Sequence, residues 1–474
     1  MIICFSYLSS LIVVAKMMNN NLIFKITSKQ KKIGKNLSFF VKTYGCPSNE
    51  RDTENIKAIL IALKFIEVSD QNSADLIILN TCAIRQNVEN KVLNTLFLLA
   101  NKKKLKKIKY FGICGCMAHE ENVISEIKQK VSNIDFVFGT QNIHELPQIL
   151  EKVILNKKTY VKRASDNKKI CEKIPEYRTH KHKALINIMY GCNHFCTYCI
   201  VPFVRGRIRS RIKENIIKEV KNLIKNGCKE ITLLGQNVNS YGFDLKKNYY
   251  FHDLLEDVAK TGIKRLRFLA SNPWNFNKKI VDVMVKYPNI IKNVHIAIQS
   301  GDDEILKKMN RWTDLNKYFE LCQYIRAKIA DVTITTDFIV GFPNETNKQF
   351  KNTIKLYKKI KFDHAFVAIF SPRAGTEAAK IIDKTKLKVK EKRFNKLNKY
   401  IRKFGKINNK KYVGRIMEVL VDGQSKIKNN MITGRTINWK IVNFKADINV
   451  GKFCKVKITK ATPFSLIGEI STAK

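Results

Sequence analysis

Short apolar runs stopped by Gly or Asn alternate with longer amphipathic stretches through most of the chain, and the two periods assign its elements. Between Leu37 and Leu150 the runs SFFVKTYG, DLIILN and IKYFGI predict strands, with helical patterns from Glu50 to Leu63 and from Val88 to Ala100. Such alternation predicts an α/β fold whose first domain, residues 37–154, is a doubly wound parallel sheet. A charged stretch from Asn156 to Lys183, with Pro175 inside it, reads as a linker. Six more strand–helix units follow, on ALINIMYG, EITLLGQN, RLRFLAS, VHIAIQS, VTITTDFIVGF and HAFVAIFS. They predict an open partial (β/α)6 barrel over residues 178–410, with its chemistry at the C-terminal strand ends. A basic helix from Lys386 to Lys406 closes that domain. Beyond Lys411 short alternating strands with Gly turns, from GRIMEVLVDG to SLIGEIS, predict a small all-β barrel of five strands over 411–474.

Composition narrows the class. Apolar residues form 45% of the 474 and charged residues 27%, as in a soluble globular chain. Lys plus Arg outnumber Asp plus Glu by 88 to 40, a net charge of +48 that favours a polyanionic partner, nucleic acid first. A codon bias toward Lys, Asn and Ile gives the same total without any function, so charge alone leaves both readings open. The opening run MIICFSYLSSLIVVA is short for a membrane span, lacks a basic start and has no clear cleavage site. Met17 or Met18 serves as an alternative start. We expect a cytoplasmic protein with no membrane association.

The twelve cysteines carry the chemistry. GCNHFCTYC places Cys192, Cys196 and Cys199 at C-x3-C-x2-C spacing just after the first barrel strand. Three thiolates hold three irons of a cubane cluster and leave the fourth open, whereas a structural zinc site wants a fourth ligand. His194 sits between two of these cysteines, an awkward position for chelation. In the first domain Cys46, Cys82 and Cys116 each follow a strand, so a parallel sheet brings them to one edge and predicts a second cluster with an open iron. Cys114 competes with Cys116 but lies inside the strand end. Cys4, Cys171, Cys228, Cys322 and Cys454 have no partners at useful spacing.

These motifs, with KTYGCPSNERDTE, ADLIILNTCAIR, GCMAHEE, QSGDDEILKKMNR and GRTINWKIVNF, resemble the radical S-adenosylmethionine methylthiotransferases. Within them the chain is similar to the MiaB-type branch that acts on isopentenyladenosine in tRNA, on the strength of QNVNSYG and CTYCIVPFVRGR. The resemblance spans Phe39 to Glu469 and implies an N-terminal methylthiotransferase domain, a radical SAM core and a C-terminal TRAM barrel that binds RNA. It implies two [4Fe–4S] clusters, on Cys46, Cys82 and Cys116 and on Cys192, Cys196 and Cys199, the latter set being catalytic. It also implies S-adenosylmethionine as cosubstrate, tRNA as substrate, an external one-electron donor and a monomer. Pro47, Ser48, Asn272 and the pair Ile296–Ala297 depart from the family's common residues without removing a ligand. Related branches acting on threonylcarbamoyladenosine or on a ribosomal protein, and a non-catalytic RNA-binding iron–sulfur protein, are the alternatives.

Two further sets are weaker. Gln236, Asn237, Gln299 and Ser300 end barrel strands, where they either touch the cosubstrate or cap loops. Arg205, Arg207, Arg209 and Arg211, and in the last domain Arg435, Trp439, Lys440 and Phe444, mix charge with aromatics as an RNA surface does, or form a solvated face and a small core.

Overall fold

The computed structural model describes residues 22–83, 86–131, 133–162, 170–425 and 430–471. The apolar opening run, Met17, Met18 and Cys4 lie outside them. The chain divides into two compact units: residues 1–179 with 203–209, and residues 180–202 with 210–474.

The first unit is a six-stranded parallel sheet. Its strands are β1 (Ser38–Tyr44), β2 (Ile66–Glu67), β3 (Leu76–Thr81), β4 (Tyr110–Gly115), β5 (Phe136–Phe138) and β6 (Tyr160–Lys162), in the order β2-β1-β3-β4-β5-β6. β3 is buried at every position, as a central strand covered on both faces requires. Helices α1 (Pro47–Ala62), α2 (Gln86–Lys104) and α3 (Glu121–Lys130) flank the sheet, whose two faces bury separate cores around Ile59 and Phe138 and around Leu79 and Leu96. The expected linker contributes β6 to the sheet edge.

The second unit holds six parallel strands: β7 (Lys183–Asn187), β8 (Glu230–Leu234), β9 (Arg265–Phe268), β10 (Asn293–His295), β11 (Thr333–Val340) and β12 (His364–Ile369). They form two three-stranded ladders, joined by single bridges from Leu266 to Ile290 and from Ser271 to Ile296, an open arc rather than a closed barrel. Around the arc stand α4 (Lys213–Lys225), α5 (Phe251–Ala259), α6 (Lys278–Lys286), α7 (Asp303–Lys308), α8 (Leu315–Lys328), α9 (Asn347–Ile360) and the long α10 (Leu387–Lys410).

A closed barrel follows, from β13 (Ile416–Gln424), β14 (Ile432–Thr436), β15 (Ile441–Lys445), β16 (Phe453–Ala461) and β17 (Leu466–Ile470). It is seated on the N-terminal ends of the arc's strands. Lys183, which opens β7, donates to Asp422 at 3.0 Å, and Arg265, which opens β9, donates to the Arg435 carbonyl at 2.5 Å. Thr333, which opens β11, donates to the Asn438 carbonyl at 2.9 Å, and Asp363, just before β12, pairs with Lys440 at 2.9 Å. Trp439 is stacked between the guanidinium groups of Arg267 at 3.8 Å and Arg435 at 4.5 Å. Phe444 is fully buried in the barrel core. Of the two readings left open for Trp439, Lys440 and Phe444, an RNA surface or a small barrel core, the packing supports the second: they seat and fill the barrel.

Candidate functional site

Register gathers the first cysteine set. Tyr44 pairs with Thr81, and Thr81 with Gly115, across parallel neighbours that leave the sheet on one side. Cys46, Cys82 and Cys116 follow these three residues by one or two positions. Cys46 is the N-cap of α1, where its backbone N–H (3.3 Å) and its thiol (3.4 Å) donate to Asn49 Oδ1. Asn49 Nδ2 donates on to Asn80 Oδ1 and the Thr81 carbonyl, and Asn80 Nδ2 returns a bond to the Asn49 carbonyl at 2.8 Å. These buried amides fix the edge. Gly115 has φ 102°, and a Cβ there would lie 2.3 Å from the Thr81 carbonyl, so only glycine lets the chain turn into Cys116.

The buried Arg205 stands beside these sulfurs, its Nη2 donating to Asp52 at 2.8 Å. A hydrogen bond from Cys82, aided by the Arg205 cation, holds the Cys46 thiol down at about 5. Burial pushes Cys116 up, against a hydrogen bond and charge from the same arginine. Cys114 points into the core with Phe136 and Phe138, and burial raises its thiol well above the ordinary range.

The second set lies on the loop after the short strand Met189–Tyr190, at the C-terminal end of the arc. Backbone bonds from Thr197 to Met309 (3.1 Å), from Ala378 to Thr197 (2.8 Å) and from Cys199 to Cys196 (2.9 Å) shape it. Arg311 is buried here, its Nη1 3.7 Å from Cys196 Sγ and 3.1 Å from the Tyr198 hydroxyl, while its Nη2 donates to the Ala297 carbonyl. Its guanidinium lies 4.9 Å over the Trp274 ring. Burial pushes the Cys199 thiol up to about 12. Each set thus pairs three thiols with one buried guanidinium, a donor set that suits a group bound as thiolates. Among the described residues no three His, Cys, Asp or Glu side chains are gathered as for a single metal ion.

His194 belongs to an amide network. Asn272 N–H donates to Asn237 Oδ1 and Asn275 N–H to Asn272 Oδ1, which turns both amide nitrogens toward His194 Nε2, at 3.1 and 2.9 Å. That nitrogen must accept, so the ring is neutral; burial and the Arg311 charge hold it at about 4. Ser300 faces Thr353 of α9 and accepts from the Asp302 N–H, a helix-packing role. Gln299 bridges to β11 through its backbone. Of the arginines offered for phosphate, Arg205 and Arg211 are buried in pairs with Asp52 and Glu219, and Arg209 donates to the Arg205 carbonyl.

Comparison with known proteins adds the family. The profile of the radical SAM superfamily matches residues 186–357, that of uncharacterized protein family UPF0004 residues 38–139, and that of the TRAM domain residues 410–471. The chain is 49% identical to the tRNA-2-methylthio-N(6)-dimethylallyladenosine synthase of Malacoplasma penetrans, over 94% of this chain and 91% of that one. The chain belongs to the tRNA-2-methylthio-N(6)-dimethylallyladenosine synthase family. The synthase of Bacillus cytotoxicus is 45% identical over 94% of this chain and 88% of its own. Among solved structures, the radical S-adenosylmethionine methyltransferase TsrM of Kitasatospora setae superposes with a TM-score of 0.53 at 11% identity, over 72% of this chain and 74% of that one, a likeness of fold.

Proposed function

We propose that this enzyme attaches a methylthio group to carbon 2 of N6-isopentenyladenosine next to the tRNA anticodon, consuming two S-adenosylmethionines. The observation that supports it is the pair of three-cysteine sets, each beside a buried arginine, in a chain nearly half identical to a curated synthase. Cys192, Cys196 and Cys199 would hold one [4Fe–4S] cluster with an open iron, and Cys46, Cys82 and Cys116 the other. Bound there, such groups supply one-electron cleavage of S-adenosylmethionine and the inserted sulfur. That chemistry is needed because carbon 2 of adenine carries no proton that a side-chain base can remove.

The chain's own residues position and enclose. Arg311 braces the cysteine loop against Ala297 and Trp274, and Asn237 and Asn272 hold His194 as a neutral wall beside it. The strand-end loops shield a radical from solvent. We assign the work to three domains, 37–154, 178–410 and 411–474, in a monomer that draws single electrons from an external donor. We infer a cytoplasmic enzyme because its substrate is tRNA. Among the described residues no helix is long and apolar enough to cross a membrane.

Nucleoside analysis of bulk tRNA from a strain lacking the gene tests the reading. Loss of the 2-methylthio form with accumulation of N6-isopentenyladenosine is expected. Loss of a methylthiolated threonylcarbamoyladenosine instead would reassign the substrate.

A further inference from the structure

Helix α10 presents two different faces. Leu397, Ile401, Gly405 and Asn409 are buried on the inner one, and Arg393 pairs there with Glu345 at 2.9 Å. The outer one carries Lys388, Lys392, Lys396, Lys399, Lys403, Lys406 and Lys410, all exposed. At 3.6 residues per turn these seven fall within an arc of about 80° and extend for about 33 Å, and every position in that arc is lysine. Among the described residues none of the seven is ion-paired. The adjacent α9 repeats the arrangement with exposed Lys348, Lys351, Lys355 and Lys358 and no acidic residue along its length. Lys358 stands 4.8 Å over the Tyr400 ring, so the two lysine faces are neighbours.

A codon bias toward lysine loads every exposed helix alike. α4 lies under the same bias, yet it sets the exposed Glu214 four residues from Lys218, whereas the one acid of α10, Glu391, falls outside the lysine arc. Like charges three and four apart destabilise a helix, so an unbroken stripe works against α10 unless something neutralises it. Its placement suggests what does. One end stands at the rim of the arc, where Lys390 packs on Gly341 just past β11, the strand end shared with the cysteine loop. The other reaches the small barrel, where Asn409 donates to the Thr462 carbonyl at 2.9 Å.

We propose that the lysine faces of α10 and α9 are the track that holds the sugar–phosphate backbone of the tRNA body while its adenosine enters at the rim. The inference rests on the tRNA reading above and extends it to a surface. Phosphate contacts of this kind position a nucleic acid without reading its sequence.

The test compares reconstituted holoenzyme with a quadruple variant (Lys392→Gln, Lys396→Gln, Lys399→Gln, Lys403→Gln) and a control triple (Lys218→Gln, Lys221→Gln, Lys225→Gln). Full-length tRNA dissociation constants are measured across a potassium chloride series, and turnover on a short anticodon stem-loop bearing N6-isopentenyladenosine. Each lost phosphate contact removes about 0.9 from the slope of log affinity against log salt, so the quadruple variant should be shallower by about 3.6. It should bind tRNA at least about tenfold more weakly near 0.1 M salt, with stem-loop turnover and the control unchanged. Equal slopes in the variant and the wild type overturn the proposal, as do equal losses in the two variants, which would mean total charge alone. Unchanged tRNA affinity with lost sedimentation on phosphatidylserine vesicles would give the face to a membrane. A wild type that cannot modify N6-isopentenyladenosine in full-length tRNA refutes the methylthiolation reading and leaves the binding comparison standing.

Discussion

Replacing Lys440 by Met tests how the small barrel is seated. Lys440 Nζ lies 2.9 Å from Asp363 Oδ1, with side-chain exposures of 10% and 5%. The other carboxylate oxygen accepts from the Ile334 N–H at 3.0 Å. Breaking a buried pair from one side costs roughly 3–5 kcal/mol, because the remaining charge keeps its desolvation cost without its partner. The surviving backbone bond puts Lys440→Met near the lower end, about 3 kcal/mol. With Asp363→Asn added, no uncompensated charge remains, and about 1–2 kcal/mol should return. For a unit of this size the single variant should lower the melting temperature by roughly 5 °C. Trp274, Trp312 and Trp439 are the chain's three tryptophans and all lie in the second unit, so their emission reports its unfolding alone. A loss under about 1 kcal/mol, or a double variant no more stable than Lys440→Met, would refute the seating described here.

The cysteine sets make further predictions. Wild-type protein reconstituted without oxygen should carry about eight irons, and changing Cys192, Cys196 and Cys199 together to Ala should halve that and abolish 5′-deoxyadenosine formation. Iron analysis and chromatography of the products check both. Cys116→Ala should lose the first cluster's iron, while Cys114→Ala should keep it and cost about 1 kcal/mol of core packing, read by iron content and urea midpoint. Gly115→Ala drives a Cβ into the Thr81 carbonyl at a positive φ, so it should destabilise the first unit by more than about 2 kcal/mol. Limited proteolysis of that unit is the readout, and wild-type resistance would contradict the turn geometry.

The fold was legible wherever a strand was long enough to show its pattern. β1, β3, β4 and the arc's strands each carry a run of apolar or β-branched residues that stops at Gly, Asn, Thr or Ser. β2, β5 and β6 have two or three residues each, too few to show a period, and they exist because a neighbour offers a ladder: Phe136–Phe138 pairs along Gly112–Cys114. The cysteine positions were legible because parallel register turns "just after a strand" into "on one edge". Arg205 and Arg311 were not, because a buried and an exposed arginine look alike in sequence. Only burial beside a carboxylate or a thiol distinguishes them, and no spacing rule encodes it.

The same ambiguity governs the charge. Arg205, Arg211, Arg393 and Lys440 each meet one acid inside the protein: Asp52, Glu219, Glu345 and Asp363. Each such pair is neutral, so removing them from the count leaves the surplus of +48 where it was, now carried by fewer and more exposed groups. Buried pairs cannot serve a polyanion, since opening one strands a charge in the core. Exposed lysines have no such constraint and are worth little to folding. The cations that the sequence set beside aromatic residues therefore seat the small barrel, while the helices with the plainest composition, α9 and α10, hold the charge free to meet phosphate. Sorting cations by burial rather than by motif decides which of them should alter salt dependence when changed and which should alter stability.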